Sequence, residues 1–167
     1  MLRRLFACSL LILFGAGTAV ADGGAQDHID RLVIKKSERK MLIMEGDEVT
    51  AEMDVALGLM PKGHKEREGD FRTPEGEYFL GRRNPDSQYF LSIEVTYPNT
   101  LDRISAERRG VDPGGEIMIH GQPNRPKKKR SYYENFDWTD GCIAVSNADM
   151  VRLWLRTSER TRVSILP

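Results

Sequence analysis

The alternation of apolar and polar residues along the chain predicts a domain rich in β-strands. Residues 49 to 57 carry an apolar side chain at every second position, which is the period-two pattern of a half-buried strand. The apolar run Met41 to Met44 precedes this stretch across Glu45-Gly46-Asp47, a sequence that favours a tight turn. We therefore predict a β-hairpin over this part of the chain.

Other short apolar runs, each bounded by Gly, Pro, Asn or Asp, predict further strands. These runs are Leu32 to Lys35, Tyr78 to Gly81, Tyr89 to Tyr97, Ile117 to Ile119, Cys142 to Val145 and Arg162 to Leu166. One helix is predicted from Leu101 to Arg109, ending at Gly110. A second is predicted from Ala148 to Thr157, capped by Ser146 or Asn147, with one face formed by Val151, Trp154 and Leu155.

The first 21 residues are typical of a secretory signal. Arg3 and Arg4 supply the positive start, an apolar stretch follows, and Ala19-Val20-Ala21 provides the small residues of a cleavage site. An uncleaved membrane anchor is the alternative, although the apolar stretch is short for a spanning helix. We expect residues 1–21 to be a signal peptide cleaved after Ala21, residues 22–29 a short polar leader, and residues 30–167 one folded domain.

Export would leave one of the two cysteines in the mature protein. Cys8 lies in the signal, so the exported chain keeps Cys142, and an odd thiol in an exported protein is either reactive or buried and inert. The whole sequence has 25 basic and 25 acidic residues. Loss of two arginines with the signal leaves a net charge of about −2, and nothing in this balance suggests a nucleic-acid partner.

The surroundings of His120 and Cys142 point to catalysis. His120 ends an apolar run and precedes Gly121, so a strand delivers its imidazole to a place where the backbone can turn sharply. Gly141 precedes Cys142 and allows the backbone to approach a substrate closely. A neighbouring imidazole that takes the thiol proton gives a reactive thiolate–imidazolium pair. The N–H groups of Gly141 and Cys142 can then stabilise an oxyanion.

The remaining histidines are expected to be solvated. His28 lies in the leader, and His64 lies in the charged stretch from Lys62 to Glu68. One cysteine and one nearby histidine are too few ligands for a metal ion. We therefore predict neither a metal site nor a cofactor.

Two blocks of sequence resemble the active-site region of the YkuD-type L,D-transpeptidases. The first block is Ile119-His120-Gly121 followed, after a gap, by Thr139-x-Gly141-Cys142-Ile143. The second is Gly69-Asp70-x-x-Thr73-Pro74-Glu75-Gly76-x-Tyr78, which on its own is also explained as a plain turn rich in Pro and Gly. The resemblance extends from about residue 30 to residue 166, nearly the whole predicted domain.

The resemblance implies a mostly β, YkuD-like catalytic domain with sandwich-like or barrel-like sheets and one or two peripheral α-helices. It also implies that the Cys142 thiolate attacks the carbonyl of the third residue of a peptidoglycan stem peptide, releases D-alanine and passes the acyl group to an amine. His120 is then the proton donor and acceptor, and the Gly121 carbonyl orients its ring. Such an enzyme would act in the periplasm.

The identity of the acyl acceptor stays open. An amine of a second stem peptide gives a 3→3 cross-link, a lysine of an outer-membrane lipoprotein gives an anchored protein, and water gives a trimmed tripeptide. An L,D-carboxypeptidase or an amidase on the same fold is therefore the first alternative. A non-catalytic module that binds the cell wall is a second, since a fold alone does not establish an activity.

Three features depart from the usual family pattern. Asp140 stands where many members carry a histidine, and Ala144 and Val145 follow Ile143 in place of the usual Arg or Asn. The segment from Gln122 to Trp138 is enlarged, and we expect it to lie over the site. Its cationic run from Lys127 to Arg130 either attracts substrate carboxylates or faces water. Its aromatic side chains line a groove or anchor the loop. Substrate contacts are assigned to Thr139, Asp140, Arg125 and Asn147.

Overall fold

The computed structural model describes residues 28–167, which form eight strands and three helices. The strands are β1 (Arg31–Lys35), β2 (Lys40–Glu45), β3 (Glu48–Asp54), β4 (Gly76–Asn84), β5 (Ser92–Val95), β6 (Met118–His120), β7 (Ile143–Ala144) and β8 (Arg162–Leu166). The helices are α1 (Thr100–Arg109), α2 (Arg130–Asn135) and α3 (Asn147–Arg156). The predicted signal peptide and the predicted leader up to residue 27 lie outside the described residues. Ile29 is buried, and its N–H donates to Arg156 O.

The strands form a curled half-barrel in the order β3-β2-β1-β8-β4-β5-β6-β7. β4 joins its two parts, because the beginning of β4 pairs with β8 and its end pairs with β5. The register shifts between Leu80 and Arg83, and such an irregularity bends a strand and increases its twist. The short strands β5, β6 and β7 beyond this bend carry the candidate site. The prediction of a mostly β domain is confirmed.

The predicted hairpin is present as β2 and β3, joined at Gly46 and Asp47. Gly46 has a φ of 59°, a left-handed conformation that glycine adopts at little cost. Only some of the apolar residues in the predicted alternating pattern are buried. Met53 is buried, but Val49 is 51% exposed. The register shifts between Ile43 and Met44, which puts Val49 on the opposite face of the strand from Met53.

The two predicted helices are present, and the predicted end at Gly110 and the predicted cap at Ser146 are confirmed; the N-terminal cap of α1 was not predicted. Asn99 and Asp102 form a reciprocal capping box at α1, which ends at Gly110 in a left-handed conformation. The Ser146 hydroxyl accepts from the Asp149 N–H at the start of α3. The expectation of one or two helices is wrong by one. α2 is only six residues long and buries none of its side chains, so no apolar periodicity marks it.

The predicted face of α3 is corrected by the structure. α3 buries Met150 and Leu153, whereas Val151 is 39% and Leu155 is 67% exposed. Trp154 is half-buried, with the Arg83 guanidinium 5.1 Å from its ring centroid. The spacing of apolar residues in α3 is compatible with two different buried faces, and packing against the sheet decides which of them is buried.

Within residues 28–167, one apolar core cluster is formed by strand residues and by the buried face of α3. It includes Ile119 of β6, Ile143 of β7 and Leu153 of α3, each with no more than 1% exposure. The strands beside the candidate site are thereby held rigid, as a precise arrangement of functional groups requires. No helix within residues 28–167 is long and apolar enough to cross a membrane.

Candidate active site

Cys142 and the strand that carries His120 are brought together by parallel pairing of β6 and β7. In this register Ile119 is opposite Ile143 and His120 is opposite Ala144. Cys142 lies just before β7, and the Met118 N–H donates to its Sγ over 3.4 Å. The thiol is therefore beside β6, two residues before His120, a separation of about 7 Å along a strand.

The Cys142 thiol is half-buried and makes two backbone contacts. It accepts from the Met118 N–H and donates to the Glu116 carbonyl oxygen, with 3.6 Å between Sγ and that oxygen. Burial raises the pKa of Cys142, the Met118 N–H lowers it, and the negative charges of Asp140 and Glu116 raise it further. The resting thiol is therefore protonated at neutral pH.

Cys142 opens into a cleft of about 590 Å³ with an acidic lining. Four carboxylates belong to this lining, namely Glu68, Asp112, Glu116 and Asp140. Its one cation, the buried Lys65, is paired with Asp70, with 2.8 Å between Nζ and Oδ1. The charge available to a ligand in the Cys142 cleft is thus negative.

The turn before Cys142 is built by Thr139 and Gly141. Gly141 has a φ of 134°, and a Cβ at this position would lie 2.7 Å from the Arg72 carbonyl oxygen, so only glycine is accommodated. The Gly141 N–H donates to Thr139 Oγ1 over 3.2 Å, and that hydroxyl donates to the Cys142 carbonyl over 2.7 Å. Thr139 is buried inside the turn, away from the predicted substrate contact. Since the Gly141 N–H is engaged, we keep only the Cys142 N–H as a predicted oxyanion donor.

The His120 imidazole is buried and held by the following residue. Its Nδ1 lies 2.7 Å from the Gly121 carbonyl oxygen. A carbonyl can only accept, so Nδ1 carries the hydrogen and Nε2 keeps its lone pair. The rings of Tyr89 and Trp138 pack against the imidazole, with centroids 4.6 Å and 5.5 Å away.

Burial lowers the pKa of His120 to about 4, against a smaller opposing effect of the Gly121 carbonyl. Neutral imidazole and protonated thiol are therefore the resting forms, and the thiolate–imidazolium pair predicted from the sequence is not favoured in the unliganded protein. Within residues 28–167, the hydrogen bonds of Cys142 Sγ go to Met118 and Glu116 and not to His120.

The segment from Gln122 to Trp138 forms a second cleft beside His120. This cleft has a volume of about 840 Å³, and its wall includes Tyr89 and Trp138, the two rings that cover the imidazole. Arg125, Lys127 and Lys128 also line it, so its charge is opposite to that of the Cys142 cleft. Part of the cationic run thus borders a cleft next to His120.

The aromatic side chains of this segment have mixed roles. The Trp138 indole N–H donates to the Tyr133 carbonyl, and the Tyr133 hydroxyl accepts from the Lys127 and Lys128 N–H groups. Tyr133 therefore anchors the loop, one of the two roles expected for the aromatic side chains of this segment. Phe136 is 61% exposed and stacks on the ring of Tyr132, with 5.5 Å between the centroids.

The predicted substrate residues are spread over different surroundings. Arg125 lies in the cationic cleft and Asp140 in the acidic one. The Asn147 side-chain oxygen accepts from the Gln122 N–H over 2.8 Å, so it is already engaged within the protein. Arg125 and Asp140 are thus the predicted contacts that the structure leaves facing a cleft.

Sequence reasoning missed several residues of the site. Tyr89 carries no motif, and its contact with His120 depends on the fold alone. Glu116 has a left-handed φ of 53°, a strained conformation of the kind found at functional sites. His64, expected to be solvated, is half-buried: Nε2 lies 3.2 Å from Asp102, and Nδ1 accepts from the Glu75 N–H.

The second sequence block, Gly69 to Tyr78, packs against the turn that precedes Cys142. The Thr73 hydroxyl accepts from the Gly58 N–H, and the Thr73 carbonyl accepts from the buried Lys36 ammonium. Asp70 binds the Lys65 ammonium and three backbone N–H groups of the same loop. This block is therefore an ordered support for the site and not a plain surface turn. No group of three or more potential metal ligands occurs within residues 28–167.

Fold and site together define the class. A half-buried thiol and a buried imidazole, held on paired strands of a curled mostly β sheet, form an arrangement suited to acyl transfer through cysteine. The sequence matches the YkuD family, described as the L,D-transpeptidase catalytic domain, over residues 29–165. The chain belongs to this family.

Relatives agree with this assignment. Over 61 residues the chain is 43% identical to YafK of Escherichia coli, provisionally named an L,D-transpeptidase, in a match covering 35% of this chain and 23% of YafK. The helical cell shape determining protein Pgp2 of Campylobacter jejuni has a similar structure, with a TM-score of 0.64 and 29% identity over 83% of this chain and 48% of Pgp2. An L,D-transpeptidase of Xylanimonas cellulosilytica shares the fold, with a TM-score of 0.54 and 18% identity over 85% of this chain and 62% of that one. The chain thus aligns with about a quarter of YafK and about half of Pgp2.

Proposed function

We propose that this protein is a peptidoglycan L,D-transpeptidase in which Cys142 is the nucleophile and His120 the general base. The observation that carries the proposal is the pairing of β6 and β7, which sets the thiol beside the strand that ends at His120. His120 keeps Nε2 free to take a proton, because Nδ1 donates to Gly121. By family membership the substrate is a stem peptide of the cell wall, and we place the enzyme in the periplasm after export.

The reaction begins when the thiol leaves the Glu116 carbonyl and passes its proton to His120 Nε2. The sulfur attacks the carbonyl of the third stem residue, and the Cys142 N–H donates to the oxyanion of the tetrahedral intermediate. The intermediate collapses to a thioester, and the departing D-alanine amine takes the proton from His120. An amine then attacks the thioester and loses a proton to His120, the Cys142 thiolate departs as the new amide forms, and the His120 imidazolium returns the proton to that sulfur.

Because the pKa of His120 is low and that of Cys142 is raised in the unliganded protein, proton transfer between them is uphill until substrate is bound. A base that is neutral across the pH range above about 5 is ready to accept the thiol proton. The imidazolium exists only while substrate is being converted, so it returns its proton readily to the leaving amine. Burial of both groups thus favours a transient ion pair over a resting one.

The two clefts suggest how a charged substrate is oriented. The cationic cleft, with Arg125, Lys127 and Lys128, suits the carboxylates of the acyl donor, as proposed from the sequence. The acidic cleft around Cys142 suits the amine of an acceptor, which is cationic until it loses a proton. That amine belongs to a second stem peptide, giving a 3→3 cross-link, or to a lysine of an outer-membrane lipoprotein.

Hydrolysis on the same site is the second candidate. The cleft that holds Cys142 is open to solvent, so water can reach the thioester and release the acyl group. The protein would then be an L,D-carboxypeptidase, or an amidase where the leaving group is a protein lysine. Pgp2, the structural relative with 29% identity, is described by its part in helical cell shape and not as a transpeptidase.

Product analysis separates these candidates. The full chain and its Cys142→Ala variant are incubated with purified tetrapeptide muropeptides, and the products are identified by mass spectrometry. Cross-linked dimers and free D-alanine, absent with Cys142→Ala, are the expected result. Tripeptide without dimers would make the protein a hydrolase, and the absence of any product that depends on Cys142 would contradict the tetrapeptide-donor proposal and favour the protein-release or wall-binding reading.

A further inference from the structure

The turn after His120 is bridged to the start of α3 by two hydrogen bonds. The Gln122 N–H donates to Asn147 Oδ1 over 2.8 Å, and the Gln122 side-chain amide donates to the Val145 carbonyl over 2.7 Å. Gly121 makes this approach possible, since a Cβ there would lie 2.6 Å from Asn147 Oδ1. The polypeptide that follows Cys142 is in this way joined directly to the polypeptide that follows His120.

Both polar groups of one peptide unit are used in this arrangement. The Gly121–Gln122 peptide presents its carbonyl oxygen to His120 Nδ1 at 2.7 Å and its N–H to Asn147 Oδ1. A trans peptide unit is planar, with its C=O and N–H pointing in opposite directions. The position of the Asn147 oxygen therefore sets the direction of the carbonyl that holds His120.

Two neighbouring backbone bonds fix the peptide that precedes this one. The Gly121 N–H donates to the Leu91 carbonyl over 3.1 Å, and the Val145 N–H donates to the His120 carbonyl over 2.9 Å. Both bonds hold the His120–Gly121 peptide, whereas Asn147 acts on the next peptide, Gly121–Gln122. Without an acceptor at Asn147, that N–H would lose its partner, and rotation of the peptide would relieve the loss.

We propose that Asn147 is a positioning residue for His120. Its amide oxygen holds the Gly121–Gln122 peptide so that the carbonyl accepts from Nδ1–H, which keeps the hydrogen on Nδ1 and the lone pair on Nε2. Outer hydrogen-bond partners commonly select the tautomer and ring orientation of a functional histidine in this way. The catalytic meaning of this role rests on the proposed function, whereas the tautomer is a property of the unliganded protein.

The test compares Asn147→Ala with Asn147→Asp, which keeps an acceptor oxygen at the same place. Ser146→Ala is the matched control, because it removes the α3 cap at the neighbouring residue without touching Gln122. The first readout is the ¹⁵N chemical shifts of the His120 ring in the full chain without substrate. The second is the turnover number for D-alanine release.

We expect a single Nδ1–H tautomer in the wild type, Asn147→Asp and Ser146→Ala, and a mixture of tautomers in Asn147→Ala. The turnover number should fall about 10- to 100-fold in Asn147→Ala, as part of the roughly 10²–10⁴-fold that a correctly positioned general base contributes, and recover in Asn147→Asp. A single Nδ1–H tautomer in Asn147→Ala would overturn the proposal, as would a loss of turnover in Ser146→Ala as large as that in Asn147→Ala.

Two further points keep the test decisive. If Asn147→Ala does not fold, Asn147→Ser provides the same comparison, because its hydroxyl is one bond shorter and falls short of the Gln122 N–H. The ring shifts need no substrate. A wild type that releases no D-alanine would therefore count against the proposed function, while the tautomers would still decide the role of Asn147.

Discussion

Acidification should destabilise the folded protein through His120, and the size of the effect follows from its burial. The pKa of this imidazole is lowered from 6.5 to about 4 in the folded state. Below pH 6.5 the unfolded chain binds a proton that the folded protein does not, so the free energy of unfolding falls as the pH falls. The loss amounts to about 3 kcal/mol at pH 4 and is close to zero above pH 7.5.

The measurement is urea unfolding of the wild type and of His120→Gln at pH 7.5 and at pH 4.0. Carboxylates titrate in the same range, so the quantity of interest is the difference between the two proteins. We expect the wild type to lose about 3 kcal/mol more than the variant over this interval. His28→Gln is the control and should behave like the wild type, since His28 is exposed. An equal loss in wild type and His120→Gln would refute the assignment of a desolvated imidazole.

Three further predictions concern the surroundings of the two groups. In Tyr89→Ala, loss of the ring 4.6 Å from the imidazole should expose His120 to water and raise its pKa, so the acid limb of the activity profile moves to higher pH; an unchanged limb would contradict this. In Asp140→Asn, removal of a charge that raises the pKa of Cys142 should speed thiol alkylation about 2-fold at low salt and less at high salt, and an equal effect at both would argue against it. Gly121→Ala should lower the free energy of unfolding by about 1–3 kcal/mol because of its close contacts, as measured by denaturant unfolding, and wild-type stability would be inconsistent with the packing.

Much of the fold was predictable because its signals are local. The hairpin of β2 and β3 follows from alternating apolar residues around Gly46, and the end of α1 follows from Gly110. The buried face of α3 was predicted wrongly, because only contact with the sheet distinguishes Met150 from Val151. The short helix α2 was not predicted, because it has neither a side-chain cap nor a buried residue.

The sequence predicted which residues form the candidate site better than it predicted their protonation. His120 and Cys142 were found from two short blocks of sequence, and β6–β7 pairing places the thiol beside the His120 strand. Their pKa values depend on desolvation by tertiary packing, including the Tyr89 ring, which no local pattern reveals. The same limit explains Asn147, where a polar side chain near the motif was assigned to substrate but binds the backbone of Gln122.

The central claim, that Cys142 is an acyl-accepting nucleophile served by His120, is tested most directly by covalent labelling with a carbapenem. The full chain, Cys142→Ala and His120→Gln are each incubated with the β-lactam, and the adduct is located by intact-mass and peptide mass spectrometry. The account predicts one adduct on Cys142 in the wild type, none in Cys142→Ala and slower formation in His120→Gln. An adduct that persists in Cys142→Ala, or a wild type that stays unmodified, would contradict it.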